Sequence, residues 1–152
     1  MHTRVDALRE VNPAWLIAWF WIAWLALVVL MNAVEVAAAG GARHTTLPRS
    51  ANVSLIQATM LKPGGNSHTV ARLLVAAATV WELLCLVLLL LGAAMGGRLL
   101  VHWGFGCLFA LWAGFLLIGQ ALQTFVKHPD VVTSHRTLTM LTLLSWLTWS
   151  NL

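Results

Sequence analysis

Glu82 is the residue whose type and place could most directly do chemistry, because it puts a carboxyl group halfway along an otherwise apolar run, residues 70–94. A charged side chain at the centre of a bilayer costs roughly 2.5–3.5 kcal/mol on translocon scales, so such residues usually face protein rather than lipid. Counting inward along the neighbouring apolar runs brings Asn32, Ser145 and Trp146 to a similar depth. The Asn32 amide and the Trp146 indole could both donate to the acid. The leading reading is an interhelical polar clamp, in which buried polar groups hold helices together. The sharper reading is an acid that carries protons or contacts a quinone. Glu82→Gln separates the two, since a clamp largely survives the swap and a proton carrier fails.

Histidine is the other residue type with cofactor chemistry, and the chain has six: His2, His44, His68, His102, His128 and His135. His102 alone falls inside an apolar run, near its end. A bis-histidine haem needs two axial ligands facing each other, and His102 has no histidine partner at its level. A single-ligand pigment at His102, or copper held by His44, His68, His128 and His135, is the functional alternative to ordinary surface histidines, which are commoner. No metal is expected, and no pigment, haem or quinone is assigned. Cys85 and Cys107 lie at similar depth on adjacent runs but show neither a CxxC nor a Cys/His zinc spacing. Buried membrane cysteines behave mostly as small hydrophobes. No GxSxG, HExxH, P-loop or dinucleotide fingerprint occurs, so catalysis is not expected.

The medium around these residues follows from composition. Of 152 residues, 60% are apolar and 9% charged, with a mean hydropathy of +0.82; a soluble domain carries about a quarter charged residues. Too little polar surface exists to cover a sphere in water, and the bilayer is the expected solvent and first partner. The formal charge is +4, but the basic residues are scattered over flanking segments and form no stripe. Lysine and arginine beside lipid headgroups explain them, and nucleic acid is not an expected partner.

The elements that must carry the candidate residues are four apolar rods. The expected fold is an all-α membrane protein, a four-helix bundle forming one domain over residues 1–152, with spans near 14–39, 70–94, 99–126 and 137–152. No cleavable signal peptide is expected, because the first run is far longer than a signal h-region of roughly 7–15 residues. Asn12-Pro13 supplies a helix start. Trp15, Trp19, Trp21 and Trp24 do not share one face at 100° per residue, and Trp24 lies too deep to anchor at the interface, so it should pack on a helix or on lipid. The long loop, 40–69, holds Val53, Ile56 and Met60 at i, i+3 and i+7, which predicts a short surface helix over 52–61, an amphipathic lid on the bundle. Met95-Gly96-Gly97-Arg98 predicts a tight hairpin, making spans two and three antiparallel neighbours. Span four is marginal at 16 residues unless its helix begins upstream near Val131.

Within span three, Gly106, Ala110 and Gly114 fall at i, i+4 and i+8 on one face, a small-residue stripe that predicts close helix packing against span two or a helix of another subunit. Arg72 is placed to snorkel to its interface. Glu35, Gln120 and Gln123 make the rim beside the first and third loops polar, by hydration or as the mouth of a small-ligand site. Thr139, Thr142, Ser145 and Thr148 can bond back to span-four carbonyls or across helices. Three basic residues on one side against six on the other favour both termini outside.

In Asn32 within Leu27-Val28-Val29-Leu30-Met31-Asn32, the Trp81-Glu82 pair and residues 111–119, LWAGFLLIG, the chain resembles the bacterial small integral membrane proteins grouped as domain of unknown function 2165. The resemblance extends over most of the chain. It departs at Gln120, where the family has an acidic residue, and at Thr59-Met60-Leu61-Lys62, which lacks the family's Met-Asp element. It implies four spans, a long first loop and the bacterial inner membrane, and no reaction. The expected role is a non-catalytic accessory or scaffold subunit of a larger membrane complex, partnered by other membrane subunits or by its own copies. The rival is a quinone-, haem- or pigment-contacting subunit of an electron-transfer or photosynthetic complex. A small transporter ranks third, because only Glu82 and Asn32 interrupt the apolar interior.

Overall fold

Proline at position 13 opens the first helix, α1 (Pro13–Ala39), where its missing N–H would have had no intrahelical partner anyway. The computed structural model describes residues 13–41, 48–60, 66–121 and 129–151. Among these, four further helices follow: α2 (Asn52–Met60), α3 (Ser67–Met95), α4 (Arg98–Ala121) and α5 (Pro129–Ser150). The fold of the described residues is all-α, and three of the helices are long and apolar enough to cross a membrane: Trp15–Ala39, Ser67–Met95 and Arg98–Ile118.

Glycine sets the hairpin between α3 and α4. Gly96 takes a left-handed φ of 65° and gives its N–H to the Gly92 carbonyl, and Gly97 N donates to the same oxygen at 2.8 Å. The two bonds share one carbonyl that the helix end otherwise leaves open, and the turned chain sends α4 back antiparallel along α3. The two helices then meet closely at glycines. A Cβ on Gly92 would lie 2.6 Å from Val101 Cγ2, and one on Gly104 would lie 2.8 Å from two side-chain carbons of Leu89. The stripe Gly106, Ala110 and Gly114 is not where the bundle closes. A Cβ on Gly106 would make ordinary contact with the Trp146 ring at 3.5 Å, Ala110 is exposed, and a Cβ on Gly114 would meet nothing within 4 Å. The spacing defines a small-residue face, and helix rotation turns its lower half outward, away from α3.

The core joins α1, α3, α4 and α5. Trp21 and Leu25 pack with Cys85, Leu89, Phe105, Leu108, Trp112 and Trp149 in one buried cluster. Trp24 finds a helix rather than lipid, its ring 5.9 Å from that of Trp112, while Trp149 meets Trp15 edge-on at 4.8 Å. A smaller cluster places α2 over the other end, where Val53 and Ile56 pack on Ala71 and Val75. Outside, α1, α3 and α4 present exposed leucine, valine and tryptophan along their length. A surface so apolar is a liability in water and ordinary in hydrocarbon, so these helices contact a lipid bilayer.

The last helix begins at Pro129, well before Thr137, and is 22 residues long. At 1.5 Å per residue it measures about 33 Å. Its composition is less apolar than that of the others, yet its hydroxyls are turned on its own backbone: Thr139 bonds the His135 carbonyl at 2.7 Å, Thr142 that of Leu138 at 2.8 Å and Thr148 that of Leu144 at 2.8 Å. A hydroxyl satisfied this way asks nothing of the surrounding solvent.

Candidate functional site

One helical turn of α1 and the middle of α3 create the polar centre of the molecule. Asn32 and Glu35 stand three residues apart on α1, so both project to one side; all of Asn32, Glu35 and Glu82 are buried. Asn32 Nδ2 donates to Glu82 Oε2 at 2.9 Å, tying α1 to α3. The amide's other end, Oδ1, accepts from Asn52 Nδ2 of α2 at 2.8 Å. One asparagine thereby connects three helices.

Glu35 secures the start of α2. Its Oε2 accepts from the Asn52 backbone N–H at 2.9 Å and from the Ser50 hydroxyl, and Oε1 accepts from the Val53 N–H at 2.8 Å. The first N–H groups of a helix lack intrahelical acceptors, and a carboxyl group there satisfies them and opposes the positive end of the helix dipole. Glu35 is thus a cap between segments rather than a hydrated rim group. At the other side of α1, Arg72 Nε donates to the Val36 carbonyl at 3.1 Å, placing a cation at a helix C-terminus where it is favoured. The side chain of Gln120, and Gln123 altogether, lie outside the described residues, as do His2, His44 and His128.

Ser145 and Trp146 do not reach Glu82. The Ser145 hydroxyl accepts from Trp21 Nε1 at 3.0 Å while donating to the Leu141 carbonyl at 2.7 Å. Trp146 Nε1 donates to His102 Nδ1 at 3.1 Å, with the two rings packed edge-on. This bond has a consequence for His102 as a cofactor ligand. If Nδ1 is the acceptor, the neutral ring carries its proton on Nε2, which then has no lone pair to offer a metal. His102 is held as a structural partner of Trp146. Among the described residues no three His, Cys, Asp or Glu converge as a metal set, and Cys85 and Cys107 are free thiols.

Beside Glu82 the helices leave a cavity of about 320 Å³, walled by residues of all five helices, among them Trp24, Asn32, Asn52, Glu82, Trp112 and His135. The walls are overwhelmingly carbon. Trp112 is buried, and among the described residues its indole N–H has no hydrogen-bond partner. Among the described residues no hydrogen bond reaches Glu82 Oε1 either. His135 Nδ1 lies 2.7 Å from the Val131 carbonyl; a carbonyl can only accept, so Nδ1 carries a proton, and in the neutral ring Nε2 keeps a lone pair. The His135 ring packs edge-on to Phe115 at 5.4 Å and to Trp112 at 6.1 Å.

Two members of this site were missed in the sequence. A last span that starts at Thr137 leaves His135 in a loop, although Pro129 followed by Asp130 is a proper helix opening. With the helix begun there, Val131, His135 and Leu138 fall at i, i+4 and i+7, and all three line the cavity. Trp112 carries no sequence signal that separates it from the other tryptophans, since only the assembled bundle shows that its N–H is unmatched. Comparison with protein-family models, with curated proteins and with solved structures finds no match.

Proposed function

We propose that this chain is a non-catalytic accessory subunit of a larger integral membrane assembly, built as one four-span bundle with α5 as the fourth span. The length of α5, its self-satisfied hydroxyls and the burial of its Trp149 in the shared core support the fourth crossing. The observation that carries the role is the outward face of α4. Ala110 is exposed and a Cβ on Gly114 would enter open space, while Trp103 and Leu117, seven residues to either side of Ala110, stand 59% and 72% exposed. At 100° per residue these four share one stripe, so small residues form a notch between two large ones. Hydrocarbon offers no hydrophobic drive for helix association, and a notch that lets a second backbone approach supplies van der Waals contact instead.

Membership of the bacterial four-span family, and with it the inner membrane as location, belongs to the same proposal. It is supported by the fact that two residues carrying the resemblance, Asn32 and Glu82, are bonded to each other. Purification of the full chain from native membranes in mild detergent, followed by mass spectrometry, tests the role. A stoichiometric membrane partner, or a defined homo-oligomer, is expected, and Gly114→Leu should abolish it while leaving the chain folded. A monomer without companions in both detergent and lipid nanodiscs would refute the proposal.

A further inference from the structure

We infer that the cavity beside Glu82 is a binding site for a neutral, single-tailed membrane alcohol, its hydroxyl on Glu82 Oε1 and its tail against the carbon walls. The inference does not depend on the assembly role proposed above. It starts from the free oxygen of the acid. Glu82 is 3% exposed, and its Oε2 is taken by the Asn32 amide. Oε1 has no partner among the described residues. Among the described residues that are not exposed, only the Trp112 indole nitrogen is both unpartnered and wholly enclosed. Oε1 is therefore not sealed in, and the space it meets is the cavity that Glu82 lines. A buried polar atom left without a partner is costly, and an occupant that bonds it relieves that cost.

The walls decide what that occupant is. A buried water needs two to four polar partners, and the two amides on the wall, Asn32 and Asn52, already bond Glu82 and each other. Most of the remaining lining is carbon, from residues such as Val28, Leu74, Val75, Ala78 and Leu138. Among the described residues no lysine or arginine lines the cavity, so an anionic headgroup has no countercharge. An ammonium suits Oε1 only when the acid is ionised, and a carbonyl only when it is protonated. A hydroxyl both donates and accepts, so it bonds Oε1 in either state, and being uncharged it is the cheaper group to desolvate. Leu74 of α3 and Ile118 of α4 border the cavity and are also exposed on the outer apolar surface, which gives a tail its way in from hydrocarbon. An apolar cavity of roughly 150 Å³ holds one benzene, so about 320 Å³ holds on the order of a dozen carbon atoms. That is one short tail, not a two-chain lipid.

The full-length protein in lipid nanodiscs tests this with dodecan-1-ol carrying a diazirine near the end of its tail, photolysed and mapped by mass spectrometry. Labelling should saturate at residues that line the cavity, Leu74, Val75 and Leu138 among them, above an unsaturable background on the outer faces. Unlabelled dodecan-1-ol should displace the probe at about one fifth of the lipid mole fraction that dodecane requires, the effect of one hydrogen bond. That comparison uses the unaltered protein. Glu82→Leu should weaken the saturable labelling about fivefold. Ala78→Phe, which fills the space from α3, should remove it, with Ala78→Leu as the smaller filler if the first variant does not fold. Equal displacement by dodecane would show a cavity that takes any acyl tail and would overturn the role of Glu82. Stronger displacement by dodecylammonium than by the alcohol would make the ligand a cation and overturn the neutral hydroxyl. If labelling never saturates, or saturates only on the outer faces, the cavity is a packing gap and the inference fails.

Discussion

Glu35→Ala should release the start of α2 while leaving the long helices folded. The carboxyl group accepts three hydrogen bonds, from the Asn52 and Val53 backbone N–H groups and the Ser50 hydroxyl. At about 1 kcal/mol net for each, the substitution removes about 3 kcal/mol from the local equilibrium. That is about a 150-fold rise in the opening constant of α2. Nothing comparable is lost elsewhere, since α1 and α3 stay joined through Asn32 and Glu82 and through their apolar contacts. The helix should open without drifting away, because Val53 and Ile56 still rest on Ala71 and Val75. Hydrogen exchange followed by mass spectrometry in nanodiscs reads this directly. A peptide covering residues 52–58 should lose most of its protection, while peptides from α3 and α4 keep theirs. Glu35→Gln retains one acceptor oxygen and should lose less, about tenfold. Unchanged protection in residues 52–58 would refute the capping role; an equal loss across α3 and α4 would show that Glu35 supports the whole bundle.

Four further substitutions, at Glu82, Gly104 and Gly114, probe the buried acid and the packing. Glu82→Gln keeps an oxygen for the Asn32 amide and should cost less than about 1 kcal/mol, whereas Glu82→Leu strands that amide and should cost about 1–3 kcal/mol; thermal unfolding in detergent compares them, and equal melting temperatures would deny the clamp. Gly104→Leu drives a side chain against Leu89 at a distance no Cβ tolerates and should destabilise the α3–α4 pair by about 1–3 kcal/mol. Gly114→Ala, entering open space, should leave the melting temperature of the isolated chain unchanged.

The long apolar runs and the Gly96-Gly97 turn made an all-helical membrane-borne fold legible, because both depend on composition and local backbone chemistry alone. Depth along a helix was legible too, and it placed Asn32 opposite Glu82. On the last helix the depth count itself shifts, because the helix begins at Pro129 rather than Thr137. Val131, His135 and Leu138 stand beside the acid, while Ser145 meets Trp21, eleven residues or about 16 Å along α1 from Asn32, and Trp146 meets His102 of α4. The small-residue stripe shows what depth does not contain, which is rotation. Its spacing defined a face, and only the assembled bundle fixes which way that face turns; Gly104, outside the stripe, is where Leu89 comes close.

The start of α5 at Pro129, just upstream of the alternative start near Val131, has a local cause, and the cavity follows from it. Hydropathy scores a threonine or serine as though its hydroxyl needed water. Along α5 the hydroxyls of Thr133, Ser134, Thr137, Thr139, Thr142, Ser145, Thr148 and Ser150 each bond a carbonyl four residues back. The side chain is then close to an apolar one in what it asks of its surroundings, so the helix extends through residues that a hydropathy window rejects. His135 enters the structured bundle by the same device, its Nδ1–H bonded to the Val131 carbonyl. One nitrogen satisfied within the helix leaves the other free, and it is the early start at Pro129 that carries this ring to the level of Trp112. The candidate ligand site is therefore a product of where α5 begins, which local hydrogen bonding decides and a count of apolar residues does not.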